Sequence, residues 1–274
     1  MAGNIPPFGV LLRRERQRRR LTQLELAVAA EISTRHLSYL ETGRARPSRG
    51  MVMRMAEHLD IPLRVWNFLL LSAGFAPAYA ERPLPELSAA HYAIQQIFRT
   101  HLPYPAFAID RKWNIVLSNN AIPKLYSDVL PELLRPPINA IRLTLHPNGL
   151  APQIVNFPEW RAHLLSVLRH QTENTADSCL DSLLKEVLAY PTLAGKALLH
   201  SAETPNRYAT PMRIATAAGV VSFLSTTTVF GTPTDLTLSE LALEMLFPAD
   251  SETEGIVKSW SMEADVASRH PESG

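Results

Sequence analysis

Thr34, Arg35, Ser38 and Tyr39 fall on one side of a stretch whose spacing predicts a short helix. Their hydroxyl, guanidinium and phenol groups are of the kinds that hydrogen-bond base edges. A guanidinium at Arg35 can pair bidentately with guanine O6 and N7, and the Thr34 methyl can meet the methyl of thymine. His36, in the same helix, is either partly solvated or one more such contact. Arg44, Arg46 and Arg49 follow in RARPSRG, a turn segment that projects three cations. A second set lies far along the chain, where Arg142 and His146 sit among Ile141, Leu143, Leu145 and Leu150. Unpaired charge in an apolar run is costly, so a carboxylate must offset it, supplied either by a ligand or by an acidic side chain.

Catalytic and metal chemistry have no comparable footing. There is no G-x-x-x-x-G-K-[ST] phosphate loop, G-x-S-x-G elbow or H-E-x-x-H, and nine histidines are scattered without ligand spacing. Glu159 and His163, four apart on a helix, read as a solvated pair. Cys179 has no base supplied to it and reads as inert. No catalytic residue, metal site or cofactor is expected.

The first set is positioned by Leu21 to Gly43, LTQLELAVAAEISTRHLSYLETG, which reads as two short helices across a tight turn. Thr22 and Glu25 form a capping-box pattern, and Leu26, Ala27 and Ala30 give the first helix a small apolar face. Ser33 caps the second, whose Leu37 and Leu40 pack on that face. Upstream, Phe8, Leu11 and Leu12 begin a helix carrying Arg13, Arg14, Arg16 and Arg18 to Arg20. Its exposed side is almost all guanidinium, which serves either phosphate contact or plain solvation. Downstream, Ser48 caps a helix with Val52, Met55 and Leu59, and Pro62 starts another through Trp66, Leu69 and Leu70 toward Gly74.

Leu21, Thr22, Gln23, Leu26, Ala27, Ser33, Leu37, Ser38, Leu40, Glu41 and Gly43 match L-[ST]-Q-x-x-[LV]-A-x-x-x-G-x-[ST]-x-x-x-[IL]-S-x-[IL]-E-x-G. The segment therefore resembles the XRE-type, lambda-repressor-like helix-turn-helix family. That resemblance implies a five-helix bundle that binds an operator in double-stranded DNA, as a homodimer on two half-sites. It places the start of the reading helix in the major groove, Gln23 against a phosphate, and the loop of Arg44, Arg46 and Arg49 along the backbone. Glu31 stands where the turn glycine is common, and positive φ there would add strain.

With 274 residues and 46% hydrophobic content, the chain can build two cores and is too apolar for wholesale disorder. Residues 1 to 75 hold 12 arginines against 6 acidic groups, leaving 15 basic against 20 acidic afterwards. This asymmetry fits a polyanion partner for the first domain only. A single cysteine excludes an intrachain disulfide and fits a reducing cytosol. Phe8 to Leu12 runs straight into arginines, unlike a signal peptide, and the uncharged run Val65 to Ala80 is too short to span a bilayer. A cytoplasmic protein with no membrane partner is expected.

Pro77, Pro83 and Pro85 mark a linker over 77–87, between a first domain over 1–76 and a second over 88–250, with a tail over 251–274. In the second, Leu87, Ala90, Ile94, Ile97 and Phe98 predict an amphipathic helix. Ala106 to Ile109 and Trp113 to Leu117 predict a hairpin, and Asn119 caps a brief helix. Trp160, Leu164, Val167 and Leu168 form one helical face and Leu180, Leu183, Leu184, Val187 and Leu188 another. Thr210 to Thr216 and Val220 to Phe230 predict a second hairpin, and Ser239 to Phe247 a short helix. The fold class expected is α+β: an all-α helix-turn-helix domain, then an antiparallel sheet with flanking helices.

FLLLSAGFAPAYAERPL and HLPYPAFAIDRKWNIVLSNNA resemble the subgroup of XRE-type regulators with an MmyB-like, PAS-like ligand-binding domain. That resemblance implies a transcription regulator sensing small, lipid-like molecules. The residues then give a fatty-acid-like ligand held by Arg142 and His146, its tail among Leu117, Ile122, Tyr126, Leu145, Trp160 and Leu164. The plainer alternative pairs Arg142 with an acidic side chain and leaves the apolar groups as core. The second half is then a sensor, or a dimerisation module with no effector; an enzyme tethered to DNA is a third reading without a motif behind it.

Overall fold

The computed structural model describes residues 6–126, 129–175, 177–191 and 209–269, with side chains described to residue 260. These residues divide into two compact units. One is drawn from Met1–Leu87 with Gly231–Ser239, the other from Ser88–Phe230 with Glu240–Gly274.

The first unit holds the five helices anticipated: α1 (Phe8–Arg18), α2 (Gln23–Ala29), α3 (Thr34–Glu41), α4 (Arg49–His58) and α5 (Leu63–Ser72). Local chemistry sets their starts. Thr22 and Glu25 form a complete capping box on α2, and Ser33 and Ser48 accept from the backbone of His36 and Met51 to start α3 and α4. Leu12, Leu26, Leu37, Leu40, Met55 and Leu69 are fully buried in one core. Gly9 lets α1 approach the end of α3, where a Cβ would lie 2.4 Å from the Leu40 carbonyl oxygen. Gly43, at φ +74°, ends α3 while Arg44 N–H returns to the Tyr39 carbonyl.

Glu31 occupies the left-handed region at φ 56°, with Ile32 N–H bonded to the Ala27 carbonyl, so the turn between α2 and α3 is a helix-ending αL turn. A side chain costs on the order of 1 kcal/mol there. Glu31→Gly is expected to raise the stability of this unit by up to about 1 kcal/mol, part of the gain being offset by glycine's greater unfolded-state entropy. Hydrogen exchange over residues 22–41 checks it: slower exchange is expected, and faster exchange would mean that Glu31 makes a contact worth more than the strain.

Residues 78–82 follow the surface of this unit instead of hanging free. Buried Asn67 donates to the Tyr79 carbonyl at 2.7 Å and accepts from the Ala78 and Tyr79 amides. Gly231–Ser239 also packs here, ending in the short helix α10 (Leu236–Ser239). Asp235, 1% exposed, takes Arg82 Nε at 2.9 Å, while Leu236 N–H bonds the Ala80 carbonyl and Thr237 Oγ1 the Arg82 carbonyl.

The second unit is built on a five-stranded antiparallel PAS-like sheet in the order β2-β1-β5-β4-β3. The strands are β1 (Ala106–Ile109), β2 (Ile115–Ser118), β3 (Met212–Thr216), β4 (Gly219–Val229) and β5 (Ala242–Pro248). One face meets α6 (Ser88–His101) through Ile94 and Phe98. The other lies in one core with α7 (Ala140–Leu145), α8 (Phe157–Thr175) and α9 (Ser178–Leu188). The α8 stripe of Trp160, Leu164 and Leu168 and the α9 stripe of Leu180, Leu183 and Val187 are buried at helical spacing.

Two expectations change. Ser239 to Phe247 is not a helix: all but its first residues form β5, the central strand, pairing with β1 through Ala242–Met245 and with β4 through Ala242–Pro248. Leu, Glu and Met favour helices, and β5 carries apolar residues on both faces, with Glu244 the one charged residue among them, so it lacks the clean alternation that marks a strand. From residue 251 the chain forms α11 (Ser251–Arg269). The tail gave only a weak stripe of Ile256, Val257 and Trp260 and no assigned element; Thr253 accepts from Ser222 N–H at 2.9 Å, Val257 is buried and Ile256 and Trp260 pack beside it, so that stripe seats the helix on the sheet.

Candidate functional site

In the first unit, α3 presents Thr34, Arg35, Ser38 and Tyr39 together. Arg35 is exposed, and the other three are half-buried. Arg35 Nε donates to Tyr39 Oη at 2.9 Å, and its guanidinium carbon stands 5.4 Å from the Tyr39 ring centre. This i, i+4 contact orients the guanidinium, and its terminal nitrogens have no partner among the described residues.

Beneath this face lies a polar knot that the spacing alone did not reveal. Glu41, 8% exposed, accepts from Arg16 Nε at 2.7 Å, Arg16 Nη2 at 2.9 Å and Gln23 Nε2 at 2.8 Å. Arg16 Nη1 donates to the Leu21 carbonyl at 2.7 Å. The bidentate carboxylate raises the Arg16 pKa above its ordinary value. Gln23 is thereby fixed at the first turn of α2, while Arg16 is interior and leaves the guanidinium face of α1.

The other cations sort by partner. Arg14, Arg18 and Arg19 share the buried Glu15 carboxylate, and Arg49 donates to the Ala76 carbonyl at 2.9 Å. Arg13, Arg20, Arg44, Arg46 and Arg54 are exposed with no acidic partner among the described residues. Arg44 and Arg46 follow the C-terminal end of α3, the helix that carries the polar face.

The second unit contains a cavity of about 350 Å³ between the sheet and its helices. Phe107 and Ile109 of β1 and Ala242 and Leu246 of β5 contribute from the sheet; Ile122, Tyr126, Ile141, Trp160 and Leu164 contribute from the other side. The volume and apolar lining are those of small-molecule pockets. Burial pushes the Tyr126 pKa up, and Trp160 Nε1 is buried with no hydrogen-bond partner among the described residues.

Of the ligand residues anticipated, Ile122, Tyr126, Trp160 and Leu164 come together on this cavity, and Leu117, Arg142, Leu145 and His146 do not line it. Leu117 on β2 is paired with Ala108 of β1, and Leu145 is 2% exposed in the core. Arg142 donates twice to Glu186 at 2.8 Å, so the charge that was to need a ligand carboxylate already has one from α9. This contact lowers the Glu186 pKa. His146 Nδ1 accepts from Asn148 N–H, its ring edge-on to Tyr190. The polar lining that went unread is Thr144, His163 and Gln171 on the helices and, on one face of β4 and β5, the trio Ser225, Thr227 and Glu244. Alternation on β4 is its signal, but reading β5 as a helix hid the third member.

Comparison with known proteins bears on both units. Residues 90–259, more than half of the chain, match the model described as the MmyB-like transcription regulator ligand binding domain. The chain belongs to this family. Residues 7–65 of this MmyB-like regulator also match a helix-turn-helix domain model. The HTH-type transcriptional regulator RghRB of Bacillus subtilis strain 168, itself described as uncharacterized, is 32% identical over 107 residues, 36% of this chain and 74% of that protein. The MmyB-like regulator is thus a helix-turn-helix DNA-binding transcription regulator with a ligand-binding domain. Among its described residues no helix is long and apolar enough to cross a membrane, and no three acidic, histidine or cysteine side chains group as metal ligands.

Proposed function

We propose that this MmyB-like regulator binds a double-stranded operator through the outer face of α3, and that a small lipid-like molecule with an aliphatic chain, bound in the second-unit cavity, alters its operator affinity. Arg35, with Thr34, Ser38 and Tyr39, reads base edges; Gln23, Arg44, Arg46 and Arg49 hold phosphates, and the protein works in the cytosol as a homodimer on two half-sites. The aliphatic character of the ligand rests on the cavity lining. A carboxylate clamp at Arg142 is not carried forward, because Glu186 takes that guanidinium.

The observation that carries the ligand response is the course of the chain. It leaves β4, packs Gly231–Ser239 into the helical unit and returns as β5. Thr227, Ala242 and Glu244, on the strands at either end of that excursion, line the cavity. A ligand that shifts β4 against β5 therefore pulls on a segment seated beside α5, and two states with different operator affinity are what an effector requires.

Asp235→Ala tests this coupling, because Asp235 holds Arg82 and caps α10 through the Thr237 amide. Operator affinity is measured with and without decanol as an aliphatic probe. In the wild type a change on the order of 5- to 150-fold is expected, the usual size of allosteric coupling. In Asp235→Ala the change should fall toward none while decanol still binds. A full response in the variant would place the coupling elsewhere. No binding of any aliphatic probe, with nothing extracted from the purified protein, would favour the dimerisation-module reading.

A further inference from the structure

We infer that the cavity selects an aliphatic ligand whose polar end donates hydrogen bonds, best a primary ammonium, and that Glu244 is the residue that makes this selection. The inference rests on the cavity being the ligand site and specifies which head group that site takes.

Glu244 is half-buried at the centre of the sheet, opposite Phe107 on β1 and Thr227 on β4. Ser225 Oγ donates to one of its carboxylate oxygens at 2.5 Å and Thr227 Oγ1 to the other at 2.8 Å. All three residues line the cavity, and the two hydroxyl residues are exposed, which puts the group at the open side.

A hydroxyl has one proton, and both protons here are spent on Glu244. What the group offers an incoming molecule is therefore acceptor lone pairs backed by negative charge. No lysine or arginine lines the cavity, and His163 is its single basic side chain among the described residues. A carboxylate head entering at this side would meet a like charge with no guanidinium to balance it. An ammonium would meet an opposite charge held in place by two hydroxyls, and a neutral hydroxyl head would fall between the two. The apolar remainder, with Phe107 and Ile109 on the sheet and Trp160 and Leu164 across from it, suits the chain in all three cases.

Decylamine, decanol and decanoate carry one chain with three head groups and separate the possibilities. Each is titrated into the full-length protein, with displacement of an environment-sensitive apolar dye as the readout. The amine is expected to bind about tenfold or more tighter than the carboxylate, with the alcohol between them. Glu244→Gln should bring the three to within about twofold of one another, and a far-ultraviolet circular dichroism spectrum and thermal midpoint like those of the wild type serve as the check on folding. Ser225→Ala should retain the preference for the amine, since the charge remains. Equal or tighter binding of decanoate to the wild type, or an undiminished preference in Glu244→Gln, would overturn the assignment of the head group. Failure of all three probes to bind would instead remove the cavity as the ligand site, and the head-group assignment with it.

Discussion

Replacing Glu41 by alanine is expected to cost the helical unit about 3 to 5 kcal/mol, the usual result of removing one partner from a buried ion pair. The variant leaves the Arg16 guanidinium, 8% exposed, with only the Leu21 carbonyl, and it releases Gln23. The cost comes from the stranded cation and not from the strength of the pair, so Arg16→Met with Glu41→Leu should recover most of the loss. Hydrogen exchange over residues 8–72 in the full chain reads both variants without requiring the whole molecule to unfold in one step. Wild-type protection in Glu41→Ala would mean that water or another group solvates Arg16. A double variant as unstable as the single one would mean that the pair has a structural role that apolar packing cannot replace.

Arg35→Ala is expected to weaken binding to a selected operator by about 1 to 3 kcal/mol, roughly 5- to 150-fold, and to leave binding to scrambled duplex almost unchanged. The geometry gives the reason: the contact with Tyr39 holds the exposed guanidinium on the surface of α3 and leaves its terminal nitrogens without a partner among the described residues. Arg44→Ala and Arg46→Ala should behave differently, weakening both duplexes alike and each reducing the salt slope by about one. The operator is obtained by selection from random duplexes with the full-length protein, and the three variants are titrated on it at several salt concentrations. Equal loss on operator and scrambled DNA for Arg35→Ala would demote Arg35 to a phosphate contact.

The helical unit was legible in the sequence because its signals are local. Thr22, Ser33 and Ser48 each cap a helix within three residues of themselves, and Leu37 with Leu40 shows the buried face of α3 directly. Burial of Arg16 was not legible, since its partner Glu41 lies 25 residues away and nothing at either position marks them as a pair. The same limit applies in the second unit. The strand Ala106–Ile109 was delimited correctly, whereas β5 was read as a helix because its apolar residues face both ways and its composition is helix-forming. Losing β5 also hid Glu244 as a cavity residue. The anticipated ligand set divided for a related reason: Trp160 and Leu164 share one helical stripe and reach the cavity together, while Arg142 could not be matched in advance to Glu186, 44 residues on.

The direct test of a ligand-responsive operator-binding protein is one pair of titrations. Fluorescence anisotropy of the selected operator is followed as full-length protein is added at fixed salt, once stripped of ligand and once saturated with the aliphatic probe that binds best. The expected result is sequence-selective binding in both, with midpoints separated by at least about fivefold. Superimposable curves under saturating probe would contradict the coupling, and equal affinity for operator and scrambled duplex would contradict the reading role of α3.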